Sequence, residues 1–283
     1  MRVVVTGAEG QLGYELRQAL AGCEIVPLDL PAFDLTDVSC GQRIVGTAPD
    51  VVIHAGAYTD VDGAEREPAR AMAINAEGTA RVAQAAEQAG ARLLFVSTDY
   101  VFDGKKGSPY AEDDRPAPLN VYGRSKLAGE KEALVGCTNV LVVRTAWLYG
   151  NAGKNFVKTI MALADERPIL RVVADQHGCP TRAEDLAKAI SALLGNETQG
   201  ILHVTNEGEC SWHEFAQEII RLSGRPTTVE PITTDQAGRP AARPAYSVLS
   251  AERRRRLGIK MPHWKEALNG YIRRVAPTLT AGR

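Results

Sequence analysis

The chain begins with Met1-Arg-Val-Val-Val-Thr-Gly-Ala-Glu-Gly-Gln-Leu-Gly13, a short apolar run that leads into three spaced glycines. A helical pattern follows over residues 11–20. This order of strand, glycine-rich loop and helix is typical of a dinucleotide-binding turn. We expect Gly7 to allow the sharp turn, Gly10 to let the backbone approach a pyrophosphate, and Gly13 to let the helix pack on the sheet. The free N–H groups at the helix start suit an anion.

Short apolar runs and helical patterns alternate through the first half of the chain. The runs are rich in Val, Ile and Leu, as strands covered on both faces should be. The longest helical pattern spans residues 69–89 and is ended by Gly90. The sequence therefore predicts an α/β fold with a doubly wound (Rossmann) parallel sheet, whose ligands bind at the carboxyl ends of the strands. The predicted strands are residues 3–5, 24–28, 50–54, 92–97 and 139–144.

The composition is that of an ordinary soluble globular protein. The chain has 283 residues, 45% of them hydrophobic and 24% charged, and a net charge of −1. Such a balance gives no bulk attraction to nucleic acid or to anionic membranes. No apolar run is long enough to cross a bilayer, and the first strand begins at Arg2, which leaves no room for a signal peptide. We therefore expect a cytoplasmic protein that binds neither nucleic acid nor membrane.

The five cysteines are odd in number and have no CxxC spacing. They are expected to be free thiols in a reducing compartment, because neither a disulfide framework nor a zinc site fits this pattern. The histidines show no metal-ligand spacing either, so no metal site is predicted from them. The cysteines are Cys23, Cys40, Cys137, Cys179 and Cys210.

Acidic and small residues follow the second and third strands. Asp29 ends the second strand at the spacing where a carboxylate binds the adenosine ribose, which favours NAD over NADP; alternatively it only caps the strand end. Asp34-Leu-Thr-Asp37 could lie beside the adenine or serve as a helix N-cap. The small residues Ala55, Gly56 and Ala57 after the third strand would let the backbone pass close to a cofactor.

A chemically suggestive set follows the fourth strand. Thr98 lies in Ser97-Thr-Asp-Tyr-Val-Phe-Asp-Gly104, at the carboxyl end of that strand, where its hydroxyl can hydrogen-bond a substrate oxygen. Tyr122 and Lys126 are four residues apart and share one face of a helix. Because a neighbouring ammonium favours the phenolate, we expect Lys126 to lower the pKa of Tyr122 and to make it an acid–base catalyst.

These motifs, in this order, resemble the extended short-chain dehydrogenase/reductases, and within them the branch that reduces dTDP-4-dehydro-β-L-rhamnose. The resemblance covers nearly the whole chain. It rests on the glycine loop, on Ser97-Thr-Asp-Tyr-Val-Phe-Asp-Gly104, and on four later stretches. These are Asn120-Val-Tyr-Gly-Arg-Ser-Lys-Leu-Ala-Gly-Glu130, Arg144-Thr-Ala-Trp-Leu-Tyr149, Asp175-Gln-His-Gly-Cys-Pro-Thr181 and Arg243-Pro-Ala-Tyr-Ser-Val-Leu249.

The resemblance implies a role for each matching position. Tyr122 would donate the proton, Lys126 would hold the nicotinamide ribose, and Thr98 would polarise the C4 carbonyl of a dTDP-4-keto-6-deoxyhexose. Relatives accept NADPH or NADH. The positions that match sugar-nucleotide contacts are Thr98, Asp99 and Trp147. Those that match cofactor contacts are Gly10, Gln11, Leu12, Asp29, Asp34, Leu35, Ala55, Gly56 and Ala57.

The composition shifts after Tyr149. We expect residues 1–150 to form the NAD(P)-binding domain and residues 151–283 a smaller, mainly substrate-binding α/β lobe. Strands are expected near 170–173 and 201–204, and the chain is allowed to cross between the lobes. Arg243 and Arg182 could grip a diphosphate, or could be solvated surface. Trp147 could stack on the ligand or fill the space between the domains; the resemblance favours the first.

Two further features leave alternatives open. Arg253-Arg-Arg-Arg256 looks like a nucleic-acid patch, but in a chain of balanced charge it is more often a solvated helix face. Some members of the family dimerise through magnesium held by glutamates, and Glu15 and Glu184 match two such positions. The segment Tyr271-Ile-Arg-Arg-Val275 has no glutamate, so magnesium is left uncertain and the protein is expected to be a monomer or a homodimer.

Three other functions occur on similar chains. Sugar-nucleotide 4,6-dehydratases need an acid after the strand-end Thr-Asp, and here Tyr100 follows Asp99. A reductase of another dTDP-4-keto-deoxysugar, such as one of the dihydrostreptose branch, is compatible with the same residues. The regulatory β subunit of methionine adenosyltransferase resembles this family without being a catalyst. The intact Thr98, Tyr122 and Lys126 favour catalysis.

Overall fold

Strands and helices alternate along the chain in this computed structural model, which describes residues 1–280. The strands are β1 (Arg2–Thr6), β2 (Glu24–Leu28), β3 (Val51–His54), β4 (Arg92–Thr98), β5 (Val140–Thr145), β6 (Leu148–Tyr149), β7 (Ile169–Val173), β8 (His177–Gly178), β9 (Thr181–Arg182), β10 (Gly200–His203), β11 (Cys210–Ser211) and β12 (Thr228–Ile232). The helices are α1 (Gln11–Ala19), α2 (Cys40–Val45), α3 (Val61–Arg66), α4 (Pro68–Met72), α5 (Gly78–Gln88), α6 (Val121–Gly136), α7 (Phe156–Glu166), α8 (Ala183–Leu193), α9 (Trp212–Ser223), α10 (Thr234–Ala237), α11 (Glu252–Arg256) and α12 (Trp264–Thr280).

The central sheet has six parallel strands in the order β10-β5-β4-β3-β1-β2. All five strands predicted for the first half of the chain are present, and the doubly wound fold is confirmed. Alternate residues of β1 face opposite cores: Val3 and Val5 pack with α1 and α8, whereas Val4 packs with α2 and α5. The strand order reverses between β1 and β3, and ligands of such sheets bind at that point.

The chain returns to the main sheet after residue 150. Strand β10 pairs with β5, and helix α8 packs against α1. Helices α7, α9 and α12 instead build a separate core with the β7–β12 pair. The crossing of the chain between the lobes is therefore present, while the functional division at residue 150 stays a prediction.

The predicted helix over residues 69–89 is interrupted. Helix α4 passes into one π-helical turn, Ala73–Glu77, before α5 begins. Asn75 within that turn is buried; its side chain accepts from the Tyr58 N–H at 2.8 Å and donates to the Ser125 Oγ at 2.9 Å. The turn thus places the buried Asn75 side-chain amide between the loop after β3 and helix α6. Single π-helical turns of this kind often occur at functional sites. Gly90 follows with a φ of +66°, in agreement with the predicted helix end.

All five cysteines are free thiols, as the sequence predicts, and four of them are buried. Over residues 1–280, none of the helices combines the length and the apolar character that crossing a bilayer requires.

Candidate active site

The carboxyl ends of β1, β3, β4 and β5, together with α6, line a cleft of about 990 Å³. The cleft brings together every predicted cofactor and catalytic residue, and all the predicted substrate residues except Arg243. Their individual roles stay predictions. The predicted residues in the lining are Gly7, Gly10, Gln11, Leu12, Gly13, Asp29, Asp34, Leu35, Ala55, Gly56, Ala57, Thr98, Asp99, Tyr122, Lys126 and Trp147.

The glycine loop is shaped by backbone contacts that exclude side chains. Gly7 has a φ of +68°, and a Cβ there would lie 2.7 Å from the Gly56 Cα. A Cβ on Gly13 would lie 2.2 Å from the Gly7 carbonyl oxygen. Gly10, the N-cap of α1, has no side chain to bond the first N–H groups of the helix, and these lie at the cleft. The loop therefore fits the pyrophosphate of a dinucleotide.

Asp29 ties the glycine loop to the end of β2. Its carboxylate accepts from the Glu9 N–H at 2.7 Å and from the Leu30 N–H at 2.8 Å. The strand-end cap considered from the sequence is therefore present. Asp29 also lies in the cleft lining, so a contact with a ribose is compatible with its position.

The acidic stretch after β2 forms a turn of its own. Asp34 Oδ1 accepts from the backbone N–H and the hydroxyl of Thr36, both at 2.8 Å, and these bonds lower the pKa of Asp34. Ser39 precedes α2, and its N–H and hydroxyl donate to Asp37 Oδ1 at 2.8 and 2.9 Å, so Asp37 caps the turn that leads into this helix, whereas Asp34 does not. Asp34 and its neighbour Leu35 instead line the cleft.

Helix α6 carries both members of the Tyr–Lys pair. Its N-cap, Asn120, accepts from the Gly123 N–H at 2.7 Å and donates to the Ala242 carbonyl at 2.7 Å, which ties the helix start to the second half of the chain. One turn further, the Lys126 Nζ donates to the Val96 carbonyl at 2.8 Å. The lysine is 3% exposed and its Nζ lies 4.2 Å from the centre of the Phe95 ring.

Burial dominates the electrostatics of this pair. Removal from water raises the pKa of Tyr122 to about 12, and the hydrogen bond with Thr98 offsets only part of this. Burial also lowers the pKa of Lys126 to about 7, against the opposing charge of Glu130. The predicted fall in the pKa of Tyr122 is therefore wrong for this structure. The physical reason is that desolvation of the phenol outweighs its polar contacts, while the lysine ammonium is directed at the Val96 carbonyl.

Thr98 and Asp99 form a second polar group at the end of β4. The Thr98 hydroxyl donates to Asp99 Oδ1 at 3.1 Å, and the Ser247 hydroxyl donates to Asp99 Oδ2 at 2.5 Å. Burial raises the pKa of Asp99 to about 7 despite these bonds. Ser247 was missed in the sequence, because nothing in its local pattern places residue 247 beside the fourth strand.

A buried ion pair lies beneath the cleft. Arg144 donates to Glu130 through Nε at 2.8 Å and Nη2 at 2.7 Å, and the Ser97 hydroxyl donates to the same carboxylate at 2.6 Å. Both charged side chains are 1–2% exposed. The pair joins α6 to β5 and β4. The sequence feature that could have indicated this pair is the charged Arg144 at the end of the apolar run Val140-Leu-Val-Val-Arg144. From the sequence alone, no function is assigned to this arginine.

Two tryptophans form one wall of the cleft. The rings of Trp147 and Trp212 are stacked with centroids 3.5 Å apart and planes 7° apart. Trp147 has a φ of +47°, and a Cβ on Gly178 would lie 2.4 Å from its ring, so the indole is closely confined. Trp147 packs against the second-lobe core and also lines the cleft, and its stacking on a ligand stays a prediction. Trp212 was not predicted.

Arg243 lies outside the cleft lining. It donates to both carboxylate oxygens of Asp62, at 3.1 and 3.0 Å, and to the Ala241 carbonyl at 2.9 Å. Arg182 is 6% exposed and is bonded to Glu184. The alternative that these arginines are solvated surface is wrong for both, because each is largely buried in an ion pair.

The glutamates considered for magnesium are already engaged. The Glu184 carboxylate contacts Arg182, Lys188 and Arg274, and Glu15 accepts from the Asn151 side chain at 2.8 Å. Three cations on one carboxylate leave little negative charge for a divalent ion, so these residues do not fit a magnesium site. No cluster of three or more His, Cys, Asp or Glu side chains able to hold a metal occurs in the described part of the chain.

Known proteins match the chain over almost its full length. A family profile described as the RmlD substrate binding domain matches residues 1–276. A dTDP-4-dehydrorhamnose reductase of Mycobacterium tuberculosis is 44% identical, over 94% of this chain and 91% of its own length. A Streptomyces antibioticus protein named "Probable dTDP-4,6-dihydroxy-2-methyloxan-3-one 4-ketoreductase" is 41% identical, over 95% and 93% of the two chains.

A solved structure agrees with the fold. The crystal structure of the Bacillus anthracis dTDP-4-dehydrorhamnose reductase, a complex with NADP, superimposes with a TM-score of 0.93. It is 42% identical, and the match covers 96% of this chain and 98% of the other. The chain therefore belongs to the RmlD substrate binding domain family, the family of the dTDP-4-dehydrorhamnose reductases.

Proposed function

We propose that this protein reduces the C4 keto group of dTDP-4-dehydro-β-L-rhamnose to give dTDP-L-rhamnose, with NADPH or NADH as the reductant. The proposal rests on one observation: Thr98, Tyr122 and Lys126 line the same cleft as the glycine loop. The names of the M. tuberculosis and B. anthracis relatives support the substrate.

The residues of the cleft suit a reduction in which the protein supplies the proton. A pKa of about 12 keeps the Tyr122 phenol protonated at neutral pH, so it can donate to the nascent C4 alkoxide. The hydroxyl of Thr98, which lies in the same cleft, would polarise the C4 carbonyl oxygen. A bound reduced nicotinamide supplies the hydride. Protonated Lys126 would hold the nicotinamide ribose.

The cofactor would lie across the carboxyl ends of the strands. The glycine loop would hold the pyrophosphate, with Asp29 at the adenosine ribose and the backbone of Ala55, Gly56 and Ala57 passing close to the dinucleotide. A carboxylate at the ribose suits NADH, whereas the B. anthracis relative is described in complex with NADP, so we propose that both cofactors are used.

The second lobe, residues 151–283, would supply most of the sugar-nucleotide pocket. The Trp147–Trp212 wall and Asp99 would contact the sugar nucleotide. A diphosphate that binds Arg243 would have to share the guanidinium with Asp62 or displace Asp62 from it.

A reductase of another dTDP-4-keto-deoxysugar is the second candidate. The 41% identical S. antibioticus relative carries the name of a ketoreductase with a different substrate, which supports this reading. A non-catalytic binding role like that of the regulatory β subunit of methionine adenosyltransferase would give the protein no reductase activity. The retained Thr98, Tyr122 and Lys126 argue against it.

The setting of the enzyme is proposed as well. We expect a cytoplasmic monomer or homodimer that binds no nucleic acid. The engagement of the arginine run supports the last point: Arg253 donates to the Gln199 carbonyl at 3.0 Å, and Arg254 donates to the Ile259 carbonyl at 2.7 Å. Arg254 and Arg255 pair with Glu207, and Arg256 pairs with Glu252, so two carboxylates offset half of the charge of this run.

An assay of nicotinamide oxidation tests the proposal. The loss of the reduced-nicotinamide absorbance is followed with NADH and with NADPH against a panel of dTDP-4-keto-hexoses. Oxidation restricted to dTDP-4-dehydro-β-L-rhamnose is the expected result. Turnover of a different keto-sugar would support the second candidate, and no turnover together with a stoichiometric synthetase partner in a pull-down would support the binding role.

A further inference from the structure

Thr145 ends strand β5 with a hydroxyl that is buried and unpaired. The residue is 7% exposed, and its Oγ1 has no hydrogen-bond partner within residues 1–280. Thr145 nevertheless lines the cleft. Buried hydroxyls are normally hydrogen-bonded, because an unpaired one costs folding free energy. An unpaired hydroxyl on a residue that lines a ligand cleft is therefore explained if a bound ligand supplies its partner.

The position of Thr145 relative to Thr98 gives the location of that partner. The two threonines are register partners on the neighbouring strands β5 and β4, and such strands lie about 4.8 Å apart. Side chains at paired positions point to the same side of a sheet, so the two hydroxyls lie at the same end of the cleft. The hydroxyl of Thr98 is hydrogen-bonded with Asp99 and Tyr100, whereas that of Thr145 is not engaged.

The residues around Thr145 are held firmly. Arg144, immediately before it, is bonded to Glu130 through two nitrogens. Trp147, two residues later, is stacked on Trp212 and confined by Gly178. The chain on both sides of Thr145 is thus held in place beside the cleft, which is the arrangement expected of a residue that orients a ligand.

We propose that the Thr145 hydroxyl is a binding group for a neutral polar group of the ligand at the reacting end of the cleft. This inference rests on the function proposed above. A hydroxyl both donates and accepts a hydrogen bond, and an amide or a hydroxyl can fill either role without bringing a charge to this buried position. Two sources offer that chemistry, the carboxamide of the nicotinamide and the sugar hydroxyl beside the C4 keto group.

The test compares Thr145→Val, which keeps the shape and loses the hydroxyl, with Thr145→Ser, which keeps the hydroxyl. Dissociation constants for NADH and for ADP-ribose, which lacks the nicotinamide, are measured by calorimetry, and the KM of the sugar nucleotide by turnover. A carboxamide partner predicts about three- to tenfold weaker NADH binding by Thr145→Val with ADP-ribose binding unchanged. A sugar hydroxyl predicts a similar rise in KM with NADH binding unchanged. The serine variant should bind like the wild type in either case.

Thermal unfolding of the free protein supplies the control. Thr145→Val should leave the Tm unchanged or raise it, because it removes a buried unpaired hydroxyl. Thr227→Val should lower the Tm without affecting binding, because the Thr227 hydroxyl is buried and donates to the Ala164 carbonyl at 3.0 Å. The proposal is overturned if Thr145→Val lowers the Tm as Thr227→Val does, or if neither NADH binding nor KM changes. NADH binding is read without turnover, so a wrong substrate leaves this arm intact.

Discussion

The Lys126 ammonium lies 2.8 Å from the carbonyl oxygen of Val96, thirty residues earlier in the chain. This bond fixes helix α6 to strand β4, where both line the cleft. The same burial that makes the bond strong lowers the pKa of Lys126 to about 7. The charge of the lysine therefore changes close to neutral pH.

We expect kcat/KM of the wild type to fall as the pH rises above about 7, because the protonated lysine is the form proposed to hold the nicotinamide ribose. Lys126→Met should lower kcat/KM by about a hundredfold and remove this dependence. Lys126→Arg keeps its charge at high pH. In the activity that this variant retains, kcat/KM should begin to fall at a higher pH than in the wild type. Rate profiles between about pH 6 and about pH 9 check this, and a flat wild-type profile would contradict it.

Tyr122→Phe should reduce turnover by roughly a hundredfold or more, because the variant has no proton to give to the alkoxide. The affinity for the cofactor should change little, since the ring is kept. Steady-state turnover and a cofactor titration are measured on the same preparation.

Tyr58→Phe is the matched control for that variant. Tyr58 also lines the cleft, but its hydroxyl donates to Glu67 at 2.9 Å, away from the Tyr–Lys pair. Its loss should leave turnover within about twofold of the wild type. Equal losses in the two variants would remove Tyr122 from its proposed role.

Alanine at Gly10 and at Gly13 should have different effects. A Cβ on Gly10 meets only the Gly7 carbonyl oxygen at 3.2 Å, whereas one on Gly13 would overlap the Gly7 oxygen at 2.2 Å and the Ala8 Cα at 2.6 Å. Gly10→Ala should fold normally and bind NADH about tenfold more weakly, and Gly13→Ala should lose about 2 kcal/mol or more of stability. Denaturant unfolding and NADH titration separate the two, and a normally stable Gly13→Ala protein would contradict the geometry.

Asp99 should make the stability depend on pH in a direction opposite to that of an ordinary carboxylate. Its folded pKa is raised to about 7 by burial, so it contributes stability that is present below about pH 4 and is lost as the pH rises through about 7. Asp99→Asn cannot ionise. The Tm difference between variant and wild type should therefore shift in favour of the variant as the pH rises from about 4 to about 7.

Asp62→Asn is the comparison for that series. Hydrogen bonds from Arg243 and Ala241 hold the pKa of Asp62 below its usual value although burial opposes them, so its stabilising effect is present above about pH 4 and is lost at lower pH. The Tm of Asp62→Asn should lie below that of the wild type at neutral pH, and this difference should become smaller as the pH falls. Parallel curves for the two variants would show that the pKa of Asp99 is not raised.

Much of the sheet and of the cleft could be predicted from local sequence. The three glycines of the loop, Gly7, Gly10 and Gly13, lie where a strand meets a helix. The four-residue spacing of Tyr122 and Lys126 places both side chains on one face of a helix. These signals are local because adjacent residues supply both the backbone geometry and the chemistry.

The remaining features depend on contacts between distant residues. Asn75 interrupts a helix because it bonds Tyr58 and Ser125, and Ser247 reaches Asp99 across 148 residues. The pKa of Tyr122 depends on how much water the fold removes, which no spacing reveals. Arg243 has the residue type that a phosphate site needs, but Asp62 lies within its reach.

The buried Glu130–Arg144 pair gives the last prediction. Glu130→Gln leaves the Arg144 charge buried with a weaker partner, so it should cost roughly 3–5 kcal/mol of stability. It should also move the alkaline decline of kcat/KM to lower pH, because the Glu130 charge raises the pKa of Lys126. The double variant Glu130→Leu/Arg144→Met should be more stable than Glu130→Gln, since no buried charge is left unpaired. Denaturant unfolding and the pH profile are the measurements. A Glu130→Gln protein with wild-type stability and an unmoved profile would show that the pair neither anchors α6 nor acts on Lys126.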